Sequence, residues 1–432
     1  MKLCMIGTGY VGLVSGACFS DMGNKVICAD IDKKKISQLN LGKIPIYEPG
    51  LEELVKKNFN QKRLFFTTNI DWAIKNSDII FICVGTPTFK NSNKADLKYV
   101  FQVANLISKN ISKYKLIVTK STVPVTTGDK IENIIKKRNK KILFDVVSNP
   151  EFLREGEAIR DFIYPDRVVV GTLSKKANRV MKSLYLPIVK KDSRYFNTSR
   201  RGAELVKYAS NAFLATKISY INELANLCEK ASVDIKDISI GIGLDQRIGE
   251  RFLRAGPAYG GSCFPKDTKA LVDTGDKFKV NLSIVKNVVK SNENRKDLLI
   301  KRIHQIMGKK FKNKKITFLG VTFKPNTDDM REATSLKMIS YLSKKGAKIY
   351  YNDPSGKKDI LDKIKNVKFQ KNITLACQKS DLIIIHTEWN EYKQLNFKKL
   401  VNKKNFKIFD MRNLYSPYKM AKYKIQYYSI GR

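Results

Sequence analysis

The sequence predicts an α/β protein with two doubly wound, mostly parallel sheets joined by a long helix. Short apolar runs alternate with helical patterns from residue 2 to about residue 198. An unbroken helical pattern then runs from Arg201 to about Ala231, and strand-like runs return after Lys314. At 432 residues, the chain is long enough for two or three domains.

The composition, 43% hydrophobic and 28% charged, is typical of a globular protein. No apolar run is long enough to cross a bilayer, and the N-terminal run carries glycines instead of a cleavage site, so we predict no membrane segment or export signal. The seven cysteines form no Cys-x-x-Cys pair, which indicates a reducing cytoplasm and argues against disulfides. With His304 and His386 as the only histidines, we expect no metal, and we expect His386 to be a packed structural residue.

The formal charge of +42 raises the question of nucleic-acid binding. The lysines are spread along the whole chain, however, and no nucleic-acid-binding motif accompanies them. We therefore interpret the excess as a solvated lysine surface that favours anionic substrates.

A dinucleotide fingerprint opens the chain. The apolar run 2–7 leads into the turn Gly7-Thr8-Gly9-Tyr10-Val11-Gly12, a helical pattern follows, and a second strand ends in Asp30. In such a turn, Gly7 permits the tight bend, Gly9 lets a pyrophosphate approach, and Gly12 lets helix and strand pack. Asp30 would bind ribose hydroxyls and repel a 2′-phosphate, which favours NAD over NADP, although the lysines at 33–35 would attract such a phosphate.

Three polar loops follow three further predicted strands, at 78–84, 115–119 and 144–147. These loops are Gly85-Thr86-Pro87, Ser121-Thr122-Val123-Pro124 and the segment from Asn149 to Gly156. Because ligands of doubly wound sheets bind at the carboxyl ends of the strands, we expect all three to face a cofactor cleft. For any one loop, ordinary turn chemistry is the alternative.

The long helix over 201–231 carries apolar residues near helical spacing, among them Leu205, Phe213, Tyr220 and Leu227. Lys207 and Asn211 lie four residues apart and therefore share one face of this helix, with Glu204 on the same side. Such a pair is commonly only a solvent-exposed surface feature.

The segment Gly260-Gly261-Ser262-Cys263-Phe264-Pro265-Lys266-Asp267 predicts a glycine turn that leads into a helix. Cys263 would precede the helix N-terminus beside Lys266, and both effects favour a nucleophilic thiolate. The alternative from these residues alone is a small buried cysteine.

Strand-like runs at 315–321, 348–351, 381–387 and 406–411 predict a second Rossmann-like domain. The first of these runs ends in Gly320-Val321-Thr322-Phe323-Lys324-Pro325, which lacks the triple-glycine turn. We therefore expect this domain to bind a nucleotide-like substrate, with Lys324 reaching its phosphates.

Taken in order, these motifs resemble the UDP-glucose dehydrogenase family, within the wider group of nucleotide-sugar 6-dehydrogenases. The resemblance covers residues 7–412. Its motifs are the fingerprint, GTP at 85–87, STVP at 121–124, NPEFLREG at 149–156, the Lys207/Asn211 helix, GGSCFPKD at 260–267 and FKPNTDDMRE at 323–332.

The resemblance implies that Cys263 attacks a sugar C6 aldehyde and passes through a thiohemiacetal and a thioester. Further catalytic roles fall to Lys207, Asn211, Asp267, Glu151 and Thr122. The implied NAD contacts are Gly7, Gly9, Tyr10, Val11, Gly12, Asp30, Lys35, Thr86, Thr122, Glu155, Lys266 and Arg331. The implied substrate contacts are Glu151, Phe152, Leu153, Glu155, Lys207, Asn211, Arg247, Tyr259, Gly260, Gly261, Cys263, Lys324 and Arg412, with Arg247 reaching across a dimer.

The resemblance also implies an NAD-binding Rossmann domain at 1–198, a helical dimerisation domain at 199–300 that carries Cys263, and a UDP-sugar-binding Rossmann-like domain at 312–432. We expect a cytoplasmic homodimer or higher oligomer that binds neither nucleic acid nor membrane. The expected reaction is oxidation of UDP-glucose to UDP-glucuronate with two NAD⁺, for nucleotide-sugar and polysaccharide biosynthesis.

Substrate choice depends on a few residues. Ser262 stands where enzymes for N-acetylated sugars typically carry histidine, whereas GDP-mannose dehydrogenases share GGSC. The segments 243–249 and 258–261 resemble the UDP-glucose branch. The alternatives are a GDP-mannose or other nucleotide-sugar 6-dehydrogenase, a non-catalytic NAD-binding scaffold, and a basic nucleic-acid-binding protein.

Overall fold

A computed structural model of the chain describes residues 1–89, 92–189, 194–308 and 310–432. The chain divides into two compact units. The first comprises residues 1–210 and 269–281, and the second comprises residues 211–268 and 282–432. The long helix α9 (Arg200–Ala231) begins in the first unit and ends in the second, and α11 (Phe264–Lys277) runs from the second into the first.

The first unit is built on an eight-stranded sheet. Its strands are β1 (Lys2–Ile6), β2 (Lys25–Ala29), β3 (Leu64–Thr67), β4 (Ile79–Ile82), β5 (Lys115–Thr119), β6 (Phe144–Ser148), β7 (Val168–Gly171) and β8 (Tyr195–Thr198). The strand order is β3-β2-β1-β4-β5-β6-β7-β8, and of these pairs only β6 with β7 is antiparallel. This order reverses between β1 and β4, which is the crevice where doubly wound sheets bind dinucleotides.

Side chains of β1 show why the sheet is buried on both faces. Leu3 and Met5 pack into one hydrophobic cluster, while Cys4 and Ile6 pack into another. Successive side chains of a strand point to opposite faces, so a central parallel strand needs apolar residues at every position. The helices around this sheet are α1 (Tyr10–Asp21), α2 (Lys33–Asn40), α3 (Leu51–Asn60), α4 (Ile70–Lys75), α5 (Lys98–Asn110), α6 (Thr127–Arg138), α7 (Ala158–Ile163) and α8 (Lys175–Tyr185).

The second unit contains a six-stranded, wholly parallel sheet. Its strands are β9 (Lys315–Leu319), β10 (Lys348–Asn352), β11 (Val367–Phe369), β12 (Leu382–Ile385), β13 (Lys407–Asp410) and β14 (Gln426–Ser429). The order β11-β10-β9-β12-β13-β14 repeats that of the first six strands of the other sheet. Its other helices are α10 (Ile235–Gly243), α12 (Ser283–Met307), α13 (Thr334–Lys344), α14 (Asp359–Asp362), α15 (Ile373–Cys377), α16 (Phe397–Val401) and α17 (Pro417–Lys422), with a 3₁₀ turn at Asn390–Tyr392.

The predicted fold class, with two Rossmann-like sheets and a long central helix, is confirmed. Along α9, the apolar residues Leu205, Phe213, Tyr220 and Leu227 are 44%, 67%, 53% and 61% exposed. The buried positions of this helix include Tyr208, Ala212 and Ile221. Among the described residues, no helix is long and apolar enough to span a bilayer.

Candidate active site

The predicted dinucleotide turn lies between β1 and α1. Gly7 has a φ of 101°, and a Cβ there would lie 2.7 Å from the carbonyl oxygen of Cys83. A Cβ on Gly12 would lie 1.9 Å from the carbonyl oxygen of Gly7. Gly9, by contrast, has open space where its Cβ would stand. Gly7 and Gly12 are therefore required by packing, whereas Gly9 leaves room for a ligand to approach the backbone.

Asp30 follows β2 and closes this turn. Its Oδ2 accepts hydrogen bonds from the backbone N–H and the hydroxyl of Thr8, both at 2.8 Å, and from the ammonium of Lys35 at 3.0 Å. Burial opposes ionisation of Asp30, but these donors and the N–H of Asp32 prevail and lower its pKa. The carboxylate is thus held ionised at the strand end, where it suits the ribose hydroxyls of NAD.

Glu48 was not predicted as a site residue, yet it connects this turn to the 149–156 loop. Its carboxylate accepts the hydroxyl of Tyr10, the N–H of Gly156 at 2.6 Å and the N–H of Ala158 at 2.8 Å. The N–H of Gly156 also lies 2.7 Å from the Tyr10 hydroxyl. Because Ala158 is the first residue of α7, Glu48 also satisfies a helix N-terminus.

The loops after β4, β5 and β6 contact one another. The hydroxyl of Thr86 donates to the carbonyl of Thr122 at 2.9 Å.

Glu151, in the loop after β6, is 6% exposed. One of its carboxylate oxygens accepts the N–H of Leu153 at 2.5 Å, and the other lies 3.3 Å from the ammonium of Lys207. Lys207 also lies over the ring of Phe152, 5.0 Å from its centroid. The structure therefore brings together the predicted catalytic residues Glu151 and Lys207.

Glu204, one helical turn before Lys207 on α9, has a structural role. Its carboxylate accepts the N–H of Thr126 at 2.8 Å and the N–H of Gly128 at 2.7 Å, at the start of α6. Burial raises its pKa to about 7, although these N–H donors act in the opposite direction. Glu204 and Lys207 are each 3% exposed, so the surface interpretation of this helix face is wrong.

In the second unit, Cys263 lies immediately before α11. Its carbonyl accepts the N–H of Asp267 at 2.8 Å, so Cys263 occupies the N-cap position. The other six cysteines are buried, whereas Cys263 is partly exposed, and its Sγ lies 3.5 Å from the hydroxyl oxygen of Ser262. The positive end of a helix dipole stabilises a thiolate at this position. The buried-cysteine interpretation of the segment is therefore wrong.

Asp267 organises the polar groups in the first turn of α11. It is fully buried, and its carboxylate accepts the side-chain amide of Asn211 at 2.6 Å and pairs with the ammonium of Lys266. Asn211 is itself 6% exposed. A carboxylate, an amide and an ammonium thus accompany the cysteine at one helix end, a set that can accept protons and stabilise an oxyanion.

Gly260 and Gly261 pack against the segment 323–332. A Cβ on Gly260 would lie 2.7 Å from the carbonyl oxygen of Glu332, and one on Gly261 would lie 2.7 Å from the ring of Phe323. The N–H of Gly261 donates to the carbonyl of Arg331 at 2.8 Å. Two of the predicted motifs, GGSCFPKD and FKPNTDDMRE, are therefore in direct contact.

Arg412 secures the same region at the carboxyl ends of β12 and β13. Its guanidinium donates to the carbonyls of His386 at 2.8 Å and Phe323 at 2.9 Å, and it pairs with Glu388. His386 is 1% exposed, and burial followed by the nearby charge of Arg412 lowers its pKa to about 3. The prediction of a packed, structural His386 is confirmed.

Lys324 lies near the ring of the preceding residue: its ammonium is 5.8 Å from the centroid of the Phe323 ring.

The structure places the remaining predicted residues as follows. Arg247 has a 90% exposed side chain paired with Asp245, and Arg331 is paired with Asp329. Tyr259 is 5% exposed, and its backbone exchanges two hydrogen bonds with the side chain of Asn292. Within the described residues, no group of three or more His, Cys, Asp or Glu side chains is arranged to hold a metal.

Fold and site thus define a dinucleotide-binding α/β protein with a partly exposed cysteine at a helix N-terminus. Family models match in three stretches. The UDP-glucose/GDP-mannose dehydrogenase family matches with its NAD binding domain at 1–189, its central domain at 201–294 and its UDP binding domain at 317–417. The chain belongs to this family.

Individual relatives match over nearly the full length. The UDP-glucose 6-dehydrogenase of Rhizobium meliloti is 46% identical, with 100% of both chains covered. The UDP-glucose 6-dehydrogenase TuaD of Bacillus subtilis is 44% identical, covering 100% of this chain and 93% of that protein. Among solved structures, a UDP-glucose dehydrogenase from Pyrobaculum islandicum superposes with a TM-score of 0.91 at 34% identity, covering 99% of this chain and 96% of that one.

Proposed function

We propose that this chain is an NAD-dependent UDP-glucose 6-dehydrogenase that oxidises the C6 alcohol of UDP-glucose to the carboxylate of UDP-glucuronate. The observation that carries the proposal is Cys263, partly exposed at the N-cap of α11 in a chain whose first strand leads into a dinucleotide turn. A four-electron oxidation at one carbon needs a group that retains the aldehyde between its two steps. A thiolate does this by forming a covalent adduct.

The first oxidation removes a proton from the C6 hydroxyl and a hydride from C6. When bound, NAD⁺ accepts the hydride in both oxidations. We assign proton transfer and stabilisation of the developing oxyanion to Lys207, Asn211 and Asp267. Lys207 and Asn211 are four residues apart in the sequence of α9. Thr122 and Glu151 belong to the same proton network.

The second oxidation begins when the Cys263 thiolate adds to the C6 aldehyde and the resulting oxyanion takes up a proton. Loss of that proton and of a second hydride converts the thiohemiacetal into a thioester. Water, activated by Glu151, then displaces the Cys263 thiolate and leaves the carboxylate. The net reaction consumes two NAD⁺ and one water per sugar and releases two NADH and three protons.

We also assign the residues that would contact NAD and those that would contact the UDP-sugar. We assign NAD to the turn at 7–12 with Asp30, Lys35, Thr86, Thr122, Glu155, Lys266 and Arg331. We assign the UDP-sugar to the 151–155 loop, Lys207, Asn211, the 259–263 segment, Lys324 and Arg412. The domain boundaries that we propose are 1–198, 199–300 and 312–432. A cytoplasmic location would keep the Cys263 thiol reduced.

The experiment that tests the function measures NADH formation with UDP-glucose, GDP-mannose and UDP-N-acetylmannosamine. We expect UDP-glucose to have the highest kcat/KM. Turnover of GDP-mannose without turnover of UDP-glucose would contradict the substrate assignment. Cys263→Ala is expected to abolish UDP-glucuronate formation, and Cys263→Ser to stall at an ester. The control Cys228→Ala alters a buried cysteine and should retain activity.

We also propose that the enzyme is a homodimer joined through α9. Phe213, Tyr220 and Leu227 are spaced seven residues apart and are 67%, 53% and 61% exposed, which is the pattern of a helix face that packs against another helix. Phe213→Asp should convert the dimer to a monomer in analytical ultracentrifugation. Leu173→Asp, at an 88% exposed leucine outside α9, is the control and should stay dimeric. A wild-type monomer at micromolar concentration would contradict the proposal.

A further inference from the structure

Lys120 is a buried cation directly after β5. It is 4% exposed, and its ammonium donates to the side-chain oxygen of Asn149 at 3.3 Å and to the hydroxyl of Tyr185 at 3.2 Å. The Tyr185 hydroxyl donates to the same Asn149 oxygen at 2.6 Å, and the Asn149 amide donates to the carbonyl of Val169 at 2.8 Å. One network therefore joins the carboxyl ends of β5 and β6 to β7 and α8.

The network lies next to two residues that the proposed reaction uses. Lys120 stands two residues before Thr122, and Asn149 stands two residues before Glu151. Because β5 and β6 are neighbours in the sheet, a bond from Lys120 to Asn149 fixes the start of both loops relative to each other. A surface lysine could not do this, since its partners would be exchanged with water.

The titratable groups around Lys120 come from four elements. Facing it are Cys83 after β4, Glu151 after β6, Tyr185 of α8 and Lys207 of α9. Burial is the main cause that lowers the pKa of Lys120 to about 8; Lys207 acts in the same direction, whereas Cys83 and Glu151 act in the opposite direction. Burial raises the pKa of Cys83 to about 12, so its thiol is neutral at physiological pH. The carboxylate of Glu151 lies 3.3 Å from the ammonium of Lys207 and also interacts electrostatically with that of Lys120.

We propose that Lys120 is a positioning residue of the reaction, which holds the Thr122 and Glu151 loops in register and supplies the second positive charge beside the Glu151–Lys207 pair. This rests on the proposed function. Neither Lys120 nor Asn149 needs to touch the substrate. Loss of Lys120 would leave the Asn149 oxygen without one of its donors and would change the electrostatic field on the pair.

The kinetic test compares Lys120→Met with Lys115→Met in the full-length enzyme. Lys115 is the first residue of β5 and is fully buried, but its ammonium binds the carbonyls of Lys75 and Ser77, at the end of the strand away from Lys120. We expect Lys120→Met to lower kcat at least about 10-fold with both KM values within about 3-fold, and Lys115→Met to retain kcat. A kcat within about 2-fold of wild type in Lys120→Met, or equal losses in both variants, would overturn the proposal.

The pH profile separates positioning and charge from simple destabilisation. Removing a nearby cation makes loss of a proton from the neighbouring groups less favourable. The acidic limb of kcat/KM should therefore move upward by about half to one pH unit in Lys120→Met. Lys120→Arg keeps the charge, so its acidic limb should lie at the wild-type pH. Tyr185→Phe should also leave the limb at the wild-type pH. An unmoved limb in Lys120→Met would refute the electrostatic role.

Hydrogen exchange tests the same proposal without any turnover. The N–H of Leu153 donates to Glu151, so its exchange reports whether the loop keeps its conformation. Exchange in peptides covering residues 149–157 should accelerate in Lys120→Met and stay unchanged in Lys115→Met. Unchanged exchange in Lys120→Met would overturn the positioning role, even if the wild-type enzyme oxidised a different sugar nucleotide.

Discussion

Replacing Glu48 with glutamine is the sharpest test of how the first unit holds its loops. The substitution keeps the shape of the side chain and removes its charge. In the wild type, Oε2 accepts the Tyr10 hydroxyl and the N–H of Gly156, and Oε1 accepts the N–H of Ala158. Glutamine offers one carbonyl oxygen, which can serve the two donors at Oε2, and its amide N–H₂ then faces the N–H of Ala158.

The magnitude follows from these three bonds. A buried N–H left without an acceptor costs about 1–3 kcal/mol. The two retained bonds lose their charge assistance, which removes roughly half of their strength. We therefore expect Glu48→Gln to lower the free energy of unfolding of the first unit by about 2–4 kcal/mol. The 149–156 loop loses its anchor as well, so the KM for NAD should rise.

Urea unfolding followed by tryptophan fluorescence can measure this change. Trp72 lies in the first unit and Trp389 in the second, so a Trp389→Phe background reports the first unit alone. The control is Glu52→Gln, at a 60% exposed carboxylate paired with Lys56, and it should shift stability by less than about 0.5 kcal/mol. A Glu48→Gln variant as stable as this control would refute the reasoning.

Two further predictions concern packing and buried charge. Gly9→Ala should leave the midpoint of thermal unfolding within about 1 °C of wild type but raise the KM for NAD at least about 10-fold. Gly12→Ala should unfold several degrees lower, because its Cβ would meet the Gly7 carbonyl. Equal midpoints for the two variants would contradict this difference. Asn211→Asp places a second buried carboxylate beside that of Asp267, whose oxygen lies 2.6 Å from the Asn211 amide nitrogen in the wild type. This like-charge contact should lower the midpoint of thermal unfolding at neutral pH by several degrees, and an unchanged midpoint would contradict the reasoning.

Strands with continuous apolar runs were predictable because burial on both faces leaves a strong local pattern. Thus β1, β5 and β6 lie within a residue or two of their predicted limits. The edge strands of both sheets, β3, β8, β11 and β14, were not predicted. Each is only three or four residues long with partly exposed side chains, so its sequence carries little periodicity.

The exposed face of α9 shows what periodicity alone cannot decide. An apolar stripe predicts that a helix face is covered, but it does not say by what. Phe213 and Tyr220 remain exposed in the single chain, and the buried positions of the helix are occupied by large residues such as Tyr208 as well as by alanines such as Ala212 and Ala215. This exposed stripe is the basis of the partner helix that we propose.

Site residues within compact motifs could be predicted, since the fingerprint glycines and Cys263 occur in local patterns with a physical purpose. Glu48 and Lys120 could not. Glu48 bonds to residues more than 100 positions away, and Lys120 bonds to Asn149 and Tyr185, 29 and 65 positions away. Their neighbourhoods exist only after the sheet has formed, and neither carries a distinctive local motif.

The central claim is that Cys263 retains the C6 aldehyde through two oxidations. It is tested most directly by supplying a limiting amount of UDP-glucose with excess NAD⁺ and determining both NADH and the sugar product by mass spectrometry. The account predicts two NADH per UDP-glucose, UDP-glucuronate as the product and no released aldehyde. One NADH per sugar with free UDP-linked aldehyde, or unchanged stoichiometry and rate in Cys263→Ala, would contradict it.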